Sequence, residues 1–221
     1  CSSPTSRAGR ALARRRPESV FARLSDRPSP GYAGVRRGFE ALTRIRRPLV
    51  VSVFEFGVSP EGIPYTTMEY VPGLPSDRAV ARSDWPGLVY VAAQVARGLE
   101  ALHAAGIVHG DLKPSNLLVV PAAAPGQRPR AVKLVDFGLA TFTSAQARGH
   151  RGTPGYAPPE VVRGDPPGVA ADLYGLGSCL YTLIAGRLAF PTGSAEELLR
   201  AQRAGPPSAV PLEEAGAPGA L

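Results

Sequence analysis

The order of local signals along this chain predicts an α+β fold in two lobes. Short apolar runs separated by turn signals fill roughly the first third, with one short helical pattern among them. A long amphipathic helix follows, and the remainder reads mainly as helix. The length of 221 residues, with 44% apolar and 19% charged side chains, suffices for one sizeable domain or two small lobes sharing a core.

Residues 1–17 are small, basic and broken by proline, and read as an incomplete strand region with a weak strand at Ala11–Arg15. A strand-rich lobe over 18–71 follows. Ser19–Leu24 is a short β-like run that ends at the loop signal Ser25–Gly31. Phe39, Leu42 and Ile45 recur at three-residue spacing, which puts them on one face of a short helix. Leu49–Phe56 and Tyr65–Val71 read as strands around a turn.

A helical lobe over 72–206 comes next. Asp84 before Trp85 and Pro86 is a helix start, and Leu88, Val91, Val95, Leu99 and Leu102 form an apolar stripe that Gly106 ends. Ile107–Val108, Leu117–Val120 and Ala131–Val135 are short strands. Ala170–Ala185 is apolar enough to be buried on nearly all sides, and Glu196–Ala204 is a last short helix. The Pro- and Gly-rich stretch 207–221 is expected to be a disordered tail.

Composition excludes several classes. No run of apolar residues is long enough for a membrane helix, and no apolar stretch near the start reads as a secretory signal. Two cysteines, Cys1 and Cys179, make neither a disulfide framework nor a CxxC metal motif, so a cytoplasmic setting is expected. The net charge of +7 raises the question of nucleic acid. Its densest cluster, Arg7 to Arg16, lacks interleaved aromatics to stack bases, and no nucleic-acid partner is expected. Only two of the 25 basic residues are lysines, Lys113 and Lys133.

The most informative segment is His109-Gly110-Asp111-Leu112-Lys113-Pro114-Ser115-Asn116. One loop between short strands there carries a carboxylate, an ammonium and a carboxamide. Phosphoryl transfer needs such a set: a base that orients the attacking hydroxyl, a cation for the moving phosphoryl, and an oxygen ligand for a divalent metal. Asp136-Phe137-Gly138 follows directly after an apolar strand. Gly152-Thr153-Pro154-Gly155-Tyr156-Ala157-Pro158-Pro159-Glu160 closes the segment.

In order, spacing and context these motifs resemble the eukaryotic-type (Hanks-type) Ser/Thr protein kinase catalytic domain, from about Gly9 to Pro206. The resemblance implies a bilobal fold, ATP and Mg²⁺ as cofactors, and transfer of the γ-phosphate to Ser or Thr of a protein substrate. It implies that Asp111 is the catalytic base, Lys113 the phosphate-contacting lysine, and Asn116 and Asp136 the magnesium ligands. Met68 would guard the back of the adenine pocket, with Glu69 and Val71 offering backbone groups to the adenine edge. Leu118 would pack beneath the base and Ala22 above it. Asp172 would tie its helix to the catalytic loop through backbone hydrogen bonds.

Departures from the family pattern concentrate near the N-terminal end. Aligning Ser19–Leu24 with the family's V-A-x-K strand puts Arg23 where a phosphate-anchoring lysine stands, and a planar guanidinium is no substitute for a compact ammonium. The partner glutamate position falls on Gly38, and Glu40 lies about 200° further around a helix. Gly9 resembles the last glycine of a Gly-rich loop, and the chain is expected to be truncated at both ends, with flanking sensor or repeat domains open. Gly110 replaces the arginine of the His-Arg-Asp form, so Thr141, Thr143 and Ser144 are not expected to form a phospho-switch of the common type. Glu160 is expected to lack its arginine partner, a destabilising state if it is buried. Arg23 and Gly38 also support an alternative, a pseudokinase acting as a binding or scaffolding module.

Overall fold

A computed structural model describes residues 19–23, 39–40, 42–43, 45, 48–122, 124, 127, 129, 131–136, 141–142, 152–190 and 193–216. The expectations attached to Gly9, Ala11–Arg15, Gly38, Phe137, Gly138, Thr143 and Ser144 lie outside the described residues. The chain forms two compact units: Cys1–Arg44 with Ser52–Tyr70, and Ile45–Val51 with Val71–Leu221.

The first unit is built on a three-stranded antiparallel sheet. Its strands are β1 (Ser19–Arg23), β2 (Val53–Val58) and β3 (Pro64–Glu69), in the order β1-β3-β2. The register sets Ala22 opposite Thr66, Arg23 opposite Tyr65, and Met68 opposite both Val20 and Val53. A turn closed by Gly62 N–H donating to Ser59 O at 2.9 Å joins β2 to β3. Phe39 and Glu40 are helical, and the Phe39 ring packs at 6.1 Å from Phe56.

The expected strand Leu49–Phe56 divides in the structure. Leu49 O accepts from Leu134 N at 2.9 Å, and Val51 N donates to Leu134 O at 3.0 Å. Val50 and Val51, each about 1% exposed, are therefore core of the second unit, while Val53 onward belongs to the first. A continuous apolar run cannot reveal that its two halves serve different cores.

In the second unit, β4 (Leu74–Pro75) leads into the one-turn helix α1 (Ser76–Ala79), then α2 (Trp85–Ala104) and β5 (Ile107–Val108). Asp84 caps α2 by accepting from Gly87 N at 3.0 Å, and all five expected stripe residues of α2 are buried. Gly106, at φ +72°, takes the left-handed conformation that ends the helix. A 3₁₀ turn (Pro114–Asn116) precedes β6 (Leu117–Val120), which pairs with β7 (Ala131–Leu134) on one side and β4 on the other. β8 (Thr141–Phe142) pairs with β5. The helices α3 (Pro159–Val162), α4 (Val169–Ala185), α5 (Ala195–Ala204) and α6 (Val210–Glu214) complete the described chain.

Two expectations change here. Helix α4 is not enclosed on nearly all sides: Val169 is 42% and Leu173 57% exposed. The stretch after Pro206 is not a tail throughout, because α6 packs on α4 and Tyr181 OH donates to Ser208 O at 2.9 Å. A five-residue helix carries too few turns for a periodic signal.

Candidate active site

Asp172, in the first turn of α4, is about 1% exposed and organises the loop that follows β5. Its Oδ2 accepts from His109 N at 2.9 Å and its Oδ1 from Gly110 N at 2.8 Å. The Nε2 of His103, from the last turn of α2, lies 2.7 Å from Oδ2. A buried carboxylate needs such donors to offset its lost hydration. Gly110 adopts φ +77°, a conformation that glycine enters at little cost and that lets its N–H turn toward Asp172.

Beyond this anchor, Asp111 is 8% exposed and both carboxylate oxygens are engaged. Thr153 Oγ1 donates to Oδ1 at 2.6 Å, and Lys113 Nζ donates to Oδ2 at 2.7 Å. Lys113 Nζ also donates to Thr153 Oγ1 at 3.0 Å, closing a triangle. An ammonium has three N–H groups, so one remains for an incoming anion. Asn116 Nδ2 donates to the backbone oxygen of Asp111 at 2.9 Å, which fixes the amide plane. Among the described residues its Oδ1 accepts only a 3.3 Å contact, from the exposed Ser115 hydroxyl.

Val135, the residue before Asp136, is held from both sides. Its N–H donates to Asn116 O at 3.0 Å, and its carbonyl faces His109 Nε2 at 3.1 Å. The carbonyl requires a proton on Nε2, and this leaves Nδ1 to accept from Asp111 N at 3.4 Å. His109 thereby links the Asp111 loop to the Asp136 strand, a role its sequence position did not disclose. Asp136 itself is exposed at φ +62°, the one described non-glycine residue with positive φ. Such strain in a non-glycine residue clusters at functional positions.

The remaining expected site residues divide between the units. Met68 and Glu69 lie half-buried on β3, and Ser52 N donates to Glu69 Oε2 at 3.2 Å. Val71, in the second unit, is buried and its carbonyl accepts from Gly73 N at 2.8 Å. Leu118 sits on the half-exposed face of β6, opposite the face that Leu117 and Val119 turn into the core. The backbone of Ala22 and Arg23 is placed by the β1–β3 register alone.

Glu160 is half-buried rather than buried and has no ion-pair partner among the described residues. Beside it, Gln202 of α5 donates to Ala157 O at 2.9 Å and to Tyr174 OH at 3.0 Å. Burial pushes the Tyr174 hydroxyl above its ordinary pKa, with the Glu160 charge adding to the shift.

The donor chemistry suits a hard divalent cation. Asn116 and Asp136 offer one carboxamide and one carboxylate oxygen, and no group of three or more His, Cys, Asp or Glu side chains forms a metal cage among the described residues. Magnesium is commonly held by one or two such oxygens together with substrate phosphates.

The protein kinase domain model matches residues 24–209. This chain belongs to the protein kinase family. It is 35% identical over 175 residues to the serine/threonine-protein kinase pkn3 of Myxococcus xanthus, covering 74% of this chain and 31% of that protein. Over 119 residues it is 43% identical to the serine/threonine-protein kinase PkaB of Streptomyces coelicolor, covering 51% of this chain and 28% of that protein. Among solved structures it resembles the Rad53 kinase domain with SCD2 at TM-score 0.64 and 26% identity, covering 88% of this chain and 68% of that one. The chain spans about a quarter to a third of the length of the curated relatives it matches. Among the described residues no helix is long and apolar enough to cross a membrane.

Proposed function

We propose that this chain is the catalytic region of a protein serine/threonine kinase, transferring the γ-phosphate of ATP to Ser or Thr hydroxyls of a protein substrate. The observation that carries the proposal is the closed triangle of Asp111, Lys113 and Thr153. Two donors fix the Asp111 carboxylate, so its remaining lone pairs have a set direction for a substrate hydroxyl. The hydroxyl donates to Asp111 and is oriented for attack. Its proton passes to Asp111 as the new O–P bond forms and the bond to the departing ADP oxygen breaks. Lys113 directs its third N–H to the moving phosphoryl and offsets its charge.

Asn116 and Asp136 would hold magnesium, which when bound neutralises charge on the ATP phosphates. Met68, Glu69, Val71, Leu118 and Ala22 would receive the adenine, and Arg23 the phosphates. A cytoplasmic setting and flanking sensor or repeat modules belong to the same proposal.

A second function, a scaffolding pseudokinase, is favoured by Arg23, which stands on β1 where the family pattern has lysine. The test is Mg²⁺-dependent transfer from labelled ATP to a generic Ser/Thr substrate by this protein, Arg23→Lys and Asp111→Asn. Transfer by the unsubstituted protein that drops by about 10² or more in Asp111→Asn supports the kinase. Activity restricted to Arg23→Lys marks a second-unit apparatus disabled by one residue of β1. No transfer from either would favour the scaffold.

A further inference from the structure

Ser76 is completely buried, and its hydroxyl donates to the carbonyl oxygen of Pro114 at 3.2 Å across 38 residues of sequence. We infer that Ser76 is a positioning residue for the metal-binding side of the proposed active site. The inference rests on the assignment of Asn116 as a magnesium ligand.

Several features support it. Pro114 opens the 3₁₀ turn that ends at Asn116, so its carbonyl orients the whole turn. That carbonyl already accepts from Leu117 N within the turn, and Ser76 is its second donor and comes from a separate element. The register delivers Ser76 there: β4 pairs Leu74 with Val119 and Pro75 with Leu118, and Ser76 is the next residue along. A buried hydroxyl without an acceptor is costly, so this bond is the condition on which serine is tolerated at the position. Asn116 has its Nδ2 committed to Asp111 O, so the direction of Oδ1 depends on the attitude of the turn. Ser76 therefore acts on the cation through Asn116 and touches neither nucleotide nor metal.

Two substitutions separate the hydrogen bond from packing. Ser76→Ala removes the donor and leaves only a small space. Ser76→Cys fills the space with a somewhat larger thiol and replaces a strong donor with a weak one. A change shared by both variants therefore follows the lost hydrogen bond and not the altered volume. Amide hydrogen exchange at Asn116 and Leu117 reads the turn directly and needs no activity. Mn²⁺ titration with a non-hydrolysable ATP analogue reads the cation. Both variants are expected to exchange about three- to tenfold faster at these two amides, with amides of α2 unchanged, and to bind Mn²⁺ about three- to tenfold more weakly at equal nucleotide affinity. Unchanged exchange at Asn116 and Leu117 would overturn the inference. Faster exchange with unchanged Mn²⁺ affinity would overturn it too, reducing Ser76 to a local support. If the unsubstituted protein shows no nucleotide-dependent Mn²⁺ binding, the kinase proposal itself fails, and the role of Ser76 toward the cation fails with it.

Discussion

His103 Nε2 lies 2.7 Å from Asp172 Oδ2, joining the last turn of α2 to the first turn of α4. Together with His109 N and Gly110 N, it makes Asp172 the acceptor for three donors drawn from two places in the chain, the end of α2 and the loop after β5. Asp172→Ala strands all three at once. The expected cost is about 3–5 kcal/mol, as for breaking a buried charged network. Urea unfolding checks it, and a loss below about 1 kcal/mol would show that the loop finds other partners.

Gly110 makes the second prediction. At φ +77° an L side chain is strained, so Gly110→Ala is expected to cost about 1–2 kcal/mol, read from the same unfolding curves. A glycine relaxed in this conformation also fits a loop already set by Asp172. Replacing Thr141, Thr143 and Ser144 together by alanine is accordingly expected to leave transfer activity essentially unchanged. A large loss in a phosphotransfer assay would point to a phospho-switch instead.

Gly175 approaches the Asp111 loop so closely that an added Cβ would meet Leu112 Cβ at 3.0 Å. Leu112 sits between Asp111 and Lys113, and its Cβ cannot rotate away. Gly175→Ala is expected to destabilise the protein by about 1–3 kcal/mol through overpacking. Under the proposed kinase function it should also lower kcat more than it raises the KM for ATP, because the displaced groups flank Asp111 and Lys113, the residues proposed to meet the moving phosphoryl. Steady-state kinetics with the two parameters resolved would decide, and a change in KM alone would contradict the geometry.

Three groups make the fold sensitive to alkali. Burial pushes the Cys179 thiol and the Tyr156 and Tyr174 hydroxyls above their ordinary values. A group whose pKa is raised on folding contributes stability that is fully present below its unfolded value and is lost as pH rises toward the folded one. Stability should therefore hold to about pH 9, the ordinary thiol value, and then fall through pH 10 as the tyrosines join. Cys179→Ala should move the onset of this decline toward pH 10. Thermal melts across pH 7–11 test both statements, and a flat profile would refute them.

The parts of the fold legible in sequence are those with a repeating signal. Helix α2 was readable from its stripe, from Asp84 before it and Gly106 after it, because each of these acts within a few residues of chain. The loop around Asp111 and the Asp136 strand were readable as motifs. Apart from the Asp172 bonds to the loop, which its motif implied, what sequence did not disclose are contacts made by one residue over a long separation. Ser76 on Pro114 and His103 on Asp172 have no periodicity, and α1, α3 and α6 are too short to show any. The division of the Leu49–Phe56 run was hidden for another reason. Val50 and Val53 are equally apolar, and only three-dimensional packing tells which core each enters.

That division has a further consequence. The chain enters the second unit at Ile45, leaves it at Ser52 and returns at Val71, so the β2–β3 hairpin is an excursion with both ends rooted in one body. A cut at the Ser59–Gly62 turn would give two fragments, each contributing material to both units. The first would carry β1, β2 and the Leu49–Val51 segment, and the second would carry β3 and Leu134. Neither fragment could complete either core by itself. The turn is thus a natural junction for a split protein, in which reassociation of the halves would be required to rebuild both bodies together.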